Sequence, residues 1–376
     1  MMTLCLKDQP VLTVDITNGI YEIHNEDLLP YSLRGAITDS RNGLSVPQLF
    51  SNYNLLMNFF RNRNLSILRE NAKKILNCLG LPQATDNETV LKTVFLCKGL
   101  SVTDDYWLNN GQQHWDEVNL RKNPLHEVLA QVALTGEVPL SITGKLLTPE
   151  LTNQGAYAKA WYRDNGKLYL YKANTSHGRE SEIEVAVSNI LDHTNVPHVK
   201  YTLEKKDGKT CCKCESLCDD KKGIASAYDL TAWANRNETT VDKLALKYSK
   251  EDYYKMLVVD YLISNSDRHI QNWGFYFNQE NGELQGLHPL FDHNCAFDKE
   301  EMKSHDGGMS LVANGKSKRE AALFAMKRCD FKIDKDLSKK DFLTEEHYNS
   351  FKRNAKELGI QIQEKTKKSF LSQLFK

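Results

Sequence analysis

The 376-residue chain carries no excess of either charge, since 49 Lys and Arg stand against 49 Asp and Glu. A balanced chain offers no general electrostatic attraction to nucleic acid or to an anionic membrane surface, so neither is expected as a direct partner. The chain also lacks any apolar run near the roughly 18 residues that span a bilayer, and charges interrupt the apolar residues of Met1 to Asp15. A cytoplasmic location is the expectation. No repeat period, low-complexity tract or long Gly/Ser linker is visible, which excludes solenoids and loosely tethered modules and predicts closely packed units. Cysteine is present but unorganised. Cys5, Cys78, Cys97, Cys295 and Cys329 are scattered, while Cys211, Cys212, Cys214 and Cys218 lie close together without the ligand pairs of a structural zinc site. Around an Asp207-Gly208 turn, Cys212 and Cys214 share one strand face and read as small core residues.

What remains is an ordinary globular composition, 40% hydrophobic and 26% charged, on a chain too long for one core. Two or three structural units are expected. The first opens with a hairpin: Val11 to Ile16, an Asn18-Gly19 turn, then Ile20 to Ile23. Helical spacing follows through Leu55, Leu56, Phe59 and Phe60, and again through Ile67, Leu68, Ala72, Ile75 and Leu76, until Gly80 and Pro82 stop it. Arg61-Asn62-Arg63 reads as a solvated helix face. The aromatic pair Tyr106-Trp107, after Asp104-Asp105, reads as an anchor between units. No chemical task emerges from residues 1–135, which form an α+β extension.

The chemistry gathers between Asp252 and Asp298. A dense apolar run from Tyr253 to Ile263 predicts a buried helix that delivers the polar loop Asn265-Ser266-Asp267-Arg268-His269-Ile270-Gln271-Asn272. Trp273 to Phe277 leaves as a strand, Asn281-Gly282 turns it, and Leu284 to Phe291 returns to end at Asp292. Phosphoryl transfer from ATP needs one carboxylate to accept the proton of an attacking hydroxyl, and an oxygen ligand and a second carboxylate to hold Mg²⁺. Asp267 and Asn272 are five positions apart (272 − 267), the offset between base and loop asparagine in protein kinases, and Asp292 arrives after the following hairpin.

Upstream, Asn153-Gln154-Gly155 is a polar turn entering the strand Ala158 to Arg163, and Asn165-Gly166 turns back into Leu168 to Ala173. The period of two places Leu168, Leu170 and Lys172 on one face, and a lysine ending an apolar face suits the phosphates of ATP. Its rotamer calls for an anionic partner. Glu184, at the flank of the helical face Ile183, Ala186, Val187, Ile190 and Leu191, is the first choice, with Glu182 second.

These stretches together resemble the HipA-like kinases: Lys172 in Tyr-Leu-Tyr-Lys-Ala, Glu184 before Val-Ala-Val-Ser-Asn-Ile-Leu, the loop Ser264 to Gly274, and Pro289-Leu290-Phe291-Asp292. That family comprises serine/threonine protein kinases with a two-lobed fold akin to phosphatidylinositol kinases. The resemblance covers about Thr148 to Asp298. It implies an α+β, protein-kinase-like architecture with a β-rich upper lobe (136–220) and a mainly helical lower lobe (221–376). It implies ATP and Mg²⁺ as cofactors, with Asp267 as base, Asn265 and His269 ordering the loop, Asn272 and Asp292 on the metal, and Lys172, Glu184, Gln154 and Gly155 on the nucleotide. A protein serine or threonine is the implied acceptor, and an antitoxin-like or other regulatory partner is left open. In place of the family's serine-rich phosphate loop the chain has Thr152 and a single glycine. A lipid or small-molecule kinase, or a non-catalytic nucleotide-binding module, would use the same cleft. Further on, Phe370, Leu371, Leu374 and Phe375 form an amphipathic turn expected to pack on the lower lobe.

Overall fold

The computed structural model describes residues 1–83, 85–140, 146–334 and 336–362. The amphipathic turn at Phe370 to Phe375 lies outside the described residues. Strands β1 (Met2–Leu6), β2 (Gln9–Asp15) and β3 (Ile20–Ile23) open the chain, followed by helices α1 (Val46–Asn62), α2 (Ala72–Cys78) and α3 (Asn87–Leu96). Strand β4 (Tyr106–Asn109) and helices α4 (Trp115–Val118) and α5 (Glu127–Thr135) complete this part. The expected hairpin is β2–β3, and Gly19 takes φ 66°, a left-handed value that costs glycine least. The sheet is wider than local pattern suggests, with order β3-β2-β1-β4. β1 lies between two partners: it forms a tight hairpin with β2 and meets β4 where Leu4 faces Leu108 and Cys5 faces Trp107, a pairing across about 100 residues that leaves no local signal.

Arg63 departs from the solvated face expected of it. It is 7% exposed and grips Asp104 with both ends of its fork, at 2.8 Å and 2.8 Å, while its Nε donates to the Gly99 carbonyl at 2.7 Å. Burying the guanidinium is tolerable because carboxylate and carbonyls replace its water. Tyr106 and Trp107 act as the anchor their position suggested. The Tyr106 hydroxyl donates to the Leu28 carbonyl at 2.7 Å, and its ring stacks on Phe277 of the lower lobe at 6.2 Å between centroids.

The upper lobe consists of β5 (Lys159–Asp164), β6 (Lys167–Ala173), α6 (Glu180–Asp192), β7 (Thr202–Lys206) and β8 (Lys209–Glu215), in the antiparallel order β5-β6-β8-β7. Both hairpin turns have two successive positive φ values, Asn165 and Gly166 at 48° and 78°, Asp207 and Gly208 at 47° and 76°, as tight two-residue hairpins require. Alternation along β6 sends Tyr171 and Ala173 to the face packed by α2 and α5 and leaves Lys172 on the face toward α6. Cys212 and Cys214 are buried with Val199 and Tyr201, as strand alternation predicted, and burial pushes the Cys214 thiol up to about 12.

The lower lobe runs β9 (Lys222–Ser226), α7 (Ala227–Arg236), α8 (Val241–Tyr248), α9 (Lys250–Leu262), β10 (Gly274–Asn278), β11 (Leu284–Leu287), α10 (Lys299–Lys303), α11 (Lys318–Met326) and α12 (Glu345–Glu357). Its sheet has the order β11-β10-β9. Gly274 lies so close to β9 that a Cβ would sit 2.7 Å from Ser226 Cα. Helix α9 is buried on almost every side from Tyr253 to Leu262, because α8, α11 and α12 pack around it. One apolar core joins α9 to Leu4, Leu12 and Phe60 of the N-terminal part. No described helix is long and apolar enough to cross a membrane.

Candidate active site

The loop after α9 is held by a carboxylate inside the helix. Asp260, 4% exposed, accepts Asn265 Nδ2 at 3.0 Å and Arg268 Nε at 3.1 Å. Asn265 in turn accepts the Asp267 amide at 3.2 Å, which orients the residue expected to be the base. His269 accepts the Gln271 amide on Nδ1 at 3.1 Å, and its Nε2 lies 3.8 Å from the Asp267 carboxylate. Asn272 donates Nδ2 to the Asp267 carbonyl at 2.8 Å, so its side-chain oxygen is the free face of the amide. Partial burial raises the Asp267 carboxyl above its ordinary value; His269 and Arg268 oppose the shift and the Asp292 charge adds to it.

Asp292 closes the constellation. It sits at φ 61°, a left-handed conformation uncommon outside glycine and tolerated by aspartate, of the kind that clusters at functional sites. Lys172 Nζ donates to its Oδ1 at 2.7 Å and lies 3.5 Å from Glu184 Oε2, so the lysine is nearer to Asp292 than to the helix glutamate expected to hold it. Glu184 is fully buried and spends its other oxygen on the His293 amide at 2.9 Å, which ties α6 to the residue after Asp292. Burial disfavours the charge on Lys172, yet Asp292 and Glu184 outweigh it and hold the ammonium well above the ordinary lysine range. Burial likewise opposes the Asp292 carboxylate, and Lys172 with Lys159 overcomes it and holds its carboxyl below the usual range.

Sequence reasoning missed two cations here. Arg268, 1% exposed, donates Nη1 to the Asn272 carbonyl and to the Phe291 carbonyl, each at 2.8 Å, so one guanidinium bridges the loop after α9 and the residue before Asp292. A signal existed: a lone Asp260 inside the apolar run Met256 to Ile263 needs a buried cation. Lys159 is the second. It pairs across β5–β6 with Lys172, and directly opposed residues share a face, so period-two reasoning would have found it. Burial draws its ammonium down to about 8, with Asp292 working against the shift. Beside it, Gly155 takes φ 93°, and a Cβ there would fall 2.5 Å from Lys159 Nζ. The Gln154 amide is not turned to this group; it donates to the carbonyls of Arg61, Asn62 and Asn64 in the N-terminal part. Thr152 is 6% exposed and its hydroxyl donates to the Pro149 carbonyl at 3.1 Å.

The donors fit a magnesium nucleotide. The Asn272 oxygen and the Asp292 carboxylate are the hard oxygen ligands that Mg²⁺ prefers, and Arg268 ties the Asn272 carbonyl to that of Phe291, the residue before Asp292. Lys159, Lys172 and Gly155, a glycine that leaves room for close approach, suit a polyphosphate.

No protein-family model matches the chain, and no curated protein matches it in sequence. The solved structure of the Shewanella oneidensis MR-1 toxin–antitoxin complex of HipA, HipB and operator DNA matches at TM-score 0.55 and 14% identity, over 96% of this chain and 98% of that one. The chain has the two-lobed, kinase-like fold of HipA. The Helicobacter pylori proinflammatory kinase CtkA also aligns, at TM-score 0.41 and 16% identity, over 56% of this chain and 91% of that one. At 96% of this chain the match extends beyond the two lobes into the N-terminal part.

Proposed function

We propose that the chain is a cytoplasmic, ATP- and Mg²⁺-dependent kinase that transfers the terminal phosphoryl group to a serine or threonine hydroxyl of a protein. One observation carries the reading: Lys172 of the upper lobe meets Asp292 at 2.7 Å, with Glu184 at 3.5 Å, next to a loop that presents Asp267 and Asn272. Asn272 and Asp292 would hold Mg²⁺, which when bound neutralises charge on the β- and γ-phosphates. Lys172 and Lys159 align the phosphates, Glu184 keeps Lys172 in place, and Asp267 orients the acceptor hydroxyl and takes its proton. The HipA-like fold and the loop's resemblance to HipA-like kinases support a protein acceptor. The Shewanella structure contains HipB and DNA; for this chain we propose a regulatory protein partner.

The test is transfer of labelled phosphate from ATP to the proteins and lipids of a cell lysate. Label should appear on protein, and Asp267→Asn should lower the rate by about 10²- to 10⁴-fold while Mg²⁺-dependent ATP binding persists. Label confined to lipid would replace the protein-kinase reading with a lipid kinase. No Mg²⁺-dependent ATP binding in calorimetry would leave a module without this chemistry.

A further inference from the structure

The N-terminal part, which offered no chemical task from sequence, reaches the nucleotide cleft at one buried point. Arg69 lies between α1 and α2, and its side chain and that of Glu150 are both 0% exposed. Its Nη2 donates to Glu150 Oε2 at 2.9 Å and also to the Lys159 carbonyl, while Nη1 donates to the Glu150 carbonyl at 3.2 Å. One guanidinium therefore grips both ends of the segment 150–159 that contains the Gly155 turn. Glu150 also takes Asn153 Nδ2 at 3.1 Å within that segment and the Trp161 amide at 2.9 Å just beyond it. Asn153 then receives the Trp161 indole at 3.0 Å. Alongside, the Glu70 amide donates to the Ala156 carbonyl at 2.8 Å, and Gln154 tethers the turn to the carbonyls after α1.

A buried ion pair is a poor device for stability alone, because desolvation offsets most of the Coulomb gain and apolar residues of similar volume often serve as well. What arginine adds is a rigid fork that fixes several oxygens at once. We infer that Arg69 is a positioning residue for nucleotide phosphates: by clamping residues 150 and 159 it sets the turn so that Gly155 and Lys159 present to the phosphates, which makes the N-terminal part a structural component of the nucleotide site. The inference rests on the reading of the cleft as an ATP site.

The test uses the full chain, with Mg²⁺-ATP and adenosine as calorimetric ligands. Arg69→Met combined with Glu150→Gln removes the pair at similar volume, and Arg69→Lys keeps the charge without the fork. ATP affinity is expected to fall about tenfold or more in the double variant and less in Arg69→Lys, while affinity for adenosine, which has no phosphate, changes by less than about twofold. ATP affinity unchanged in the folded variants overturns the inference, and so does an equal loss for both ligands. If the pair variants do not fold, Gln154→Ala, which removes an exposed tether, carries the test: a selective loss of ATP affinity supports the inference and an unchanged affinity overturns it. Lys172→Met separates the two readings. A chain that binds ATP, loses it with Lys172→Met and keeps it in the Arg69 variants refutes the Arg69 role alone, whereas an unaltered chain that never binds ATP refutes the ATP site and the Arg69 role together.

Discussion

Asp267 is half-buried, has no ammonium partner among the described residues, and faces an imidazole at 3.8 Å. Its carboxyl is raised above the ordinary 3.8 chiefly by burial. A base works only when deprotonated, so kcat/KM should fall as pH drops, with the midpoint of that acid limb above 3.8. The neighbouring His269 lowers the Asp267 value; His269→Ala should move the limb to still higher pH, which a pH–rate profile of both proteins would read. An unmoved limb would mean that Asp267 is not the titrating base. The same residue scale explains what sequence could reach. Asp267, Asn272 and Asp292 could be named as candidates from sequence because phosphoryl-transfer chemistry would demand their types at set offsets from turns. Lys159 was overlooked because a lysine at a strand start looks solvated until its cross-strand partner is considered.

Elements carry the next level, and Arg268 is where they meet: it joins α9 through Asp260, the loop after α9 through Asn272, and the segment following β11 through Phe291. Arg268→Met would leave Asp260 buried and unpaired, and should destabilise the fold by about 3–5 kcal/mol. Adding Asp260→Asn removes the stranded charge and should recover much of the melting temperature. Phosphate transfer should stay low in the double variant, because the guanidinium bridge from Asn272 to Phe291, the residue before Asp292, is then gone. Full recovery of both would reduce Arg268 to a stability element. Helices α6 and α9 and the hairpins β5–β6, β7–β8 and β10–β11 were readable from periodicity and turn residues. β1 was overlooked although it forms a tight hairpin with β2, and its second pairing, with β4, is with a partner about 100 residues away.

At the scale of the whole molecule, the apolar core does not respect a boundary near residue 135. Tyr31 of the N-terminal part packs edge-on against Trp233 of α7 at 5.2 Å, Tyr106 stacks on Phe277, and Arg236 donates to the Arg34 carbonyl at 2.8 Å. Removing residues 1–135 would expose that face of α7, α9 and β10 and cut the Arg69 clamp. The remaining fragment should therefore lose cooperative thermal unfolding and be poorly recovered in the soluble fraction. A fragment that melts cooperatively near the temperature of the full chain would show the N-terminal part to be an independent domain.

Sequence by itself determined most elements around the candidate site and marked Asp267, Asn272, Asp292, Lys172 and Glu184 as its candidates, because strand alternation, helix periodicity, turn residues and the spacing of Asp267 and Asn272 are local facts. Only the tertiary structure decided which groups touch. Lys172 sits closer to Asp292 than to Glu184, Gln154 turns to the N-terminal part, and Arg63, Arg69 and Arg268 are buried. The cost of burying a charge is met by partners many residues away, and chain-local patterning has no means of recording such distant pairings.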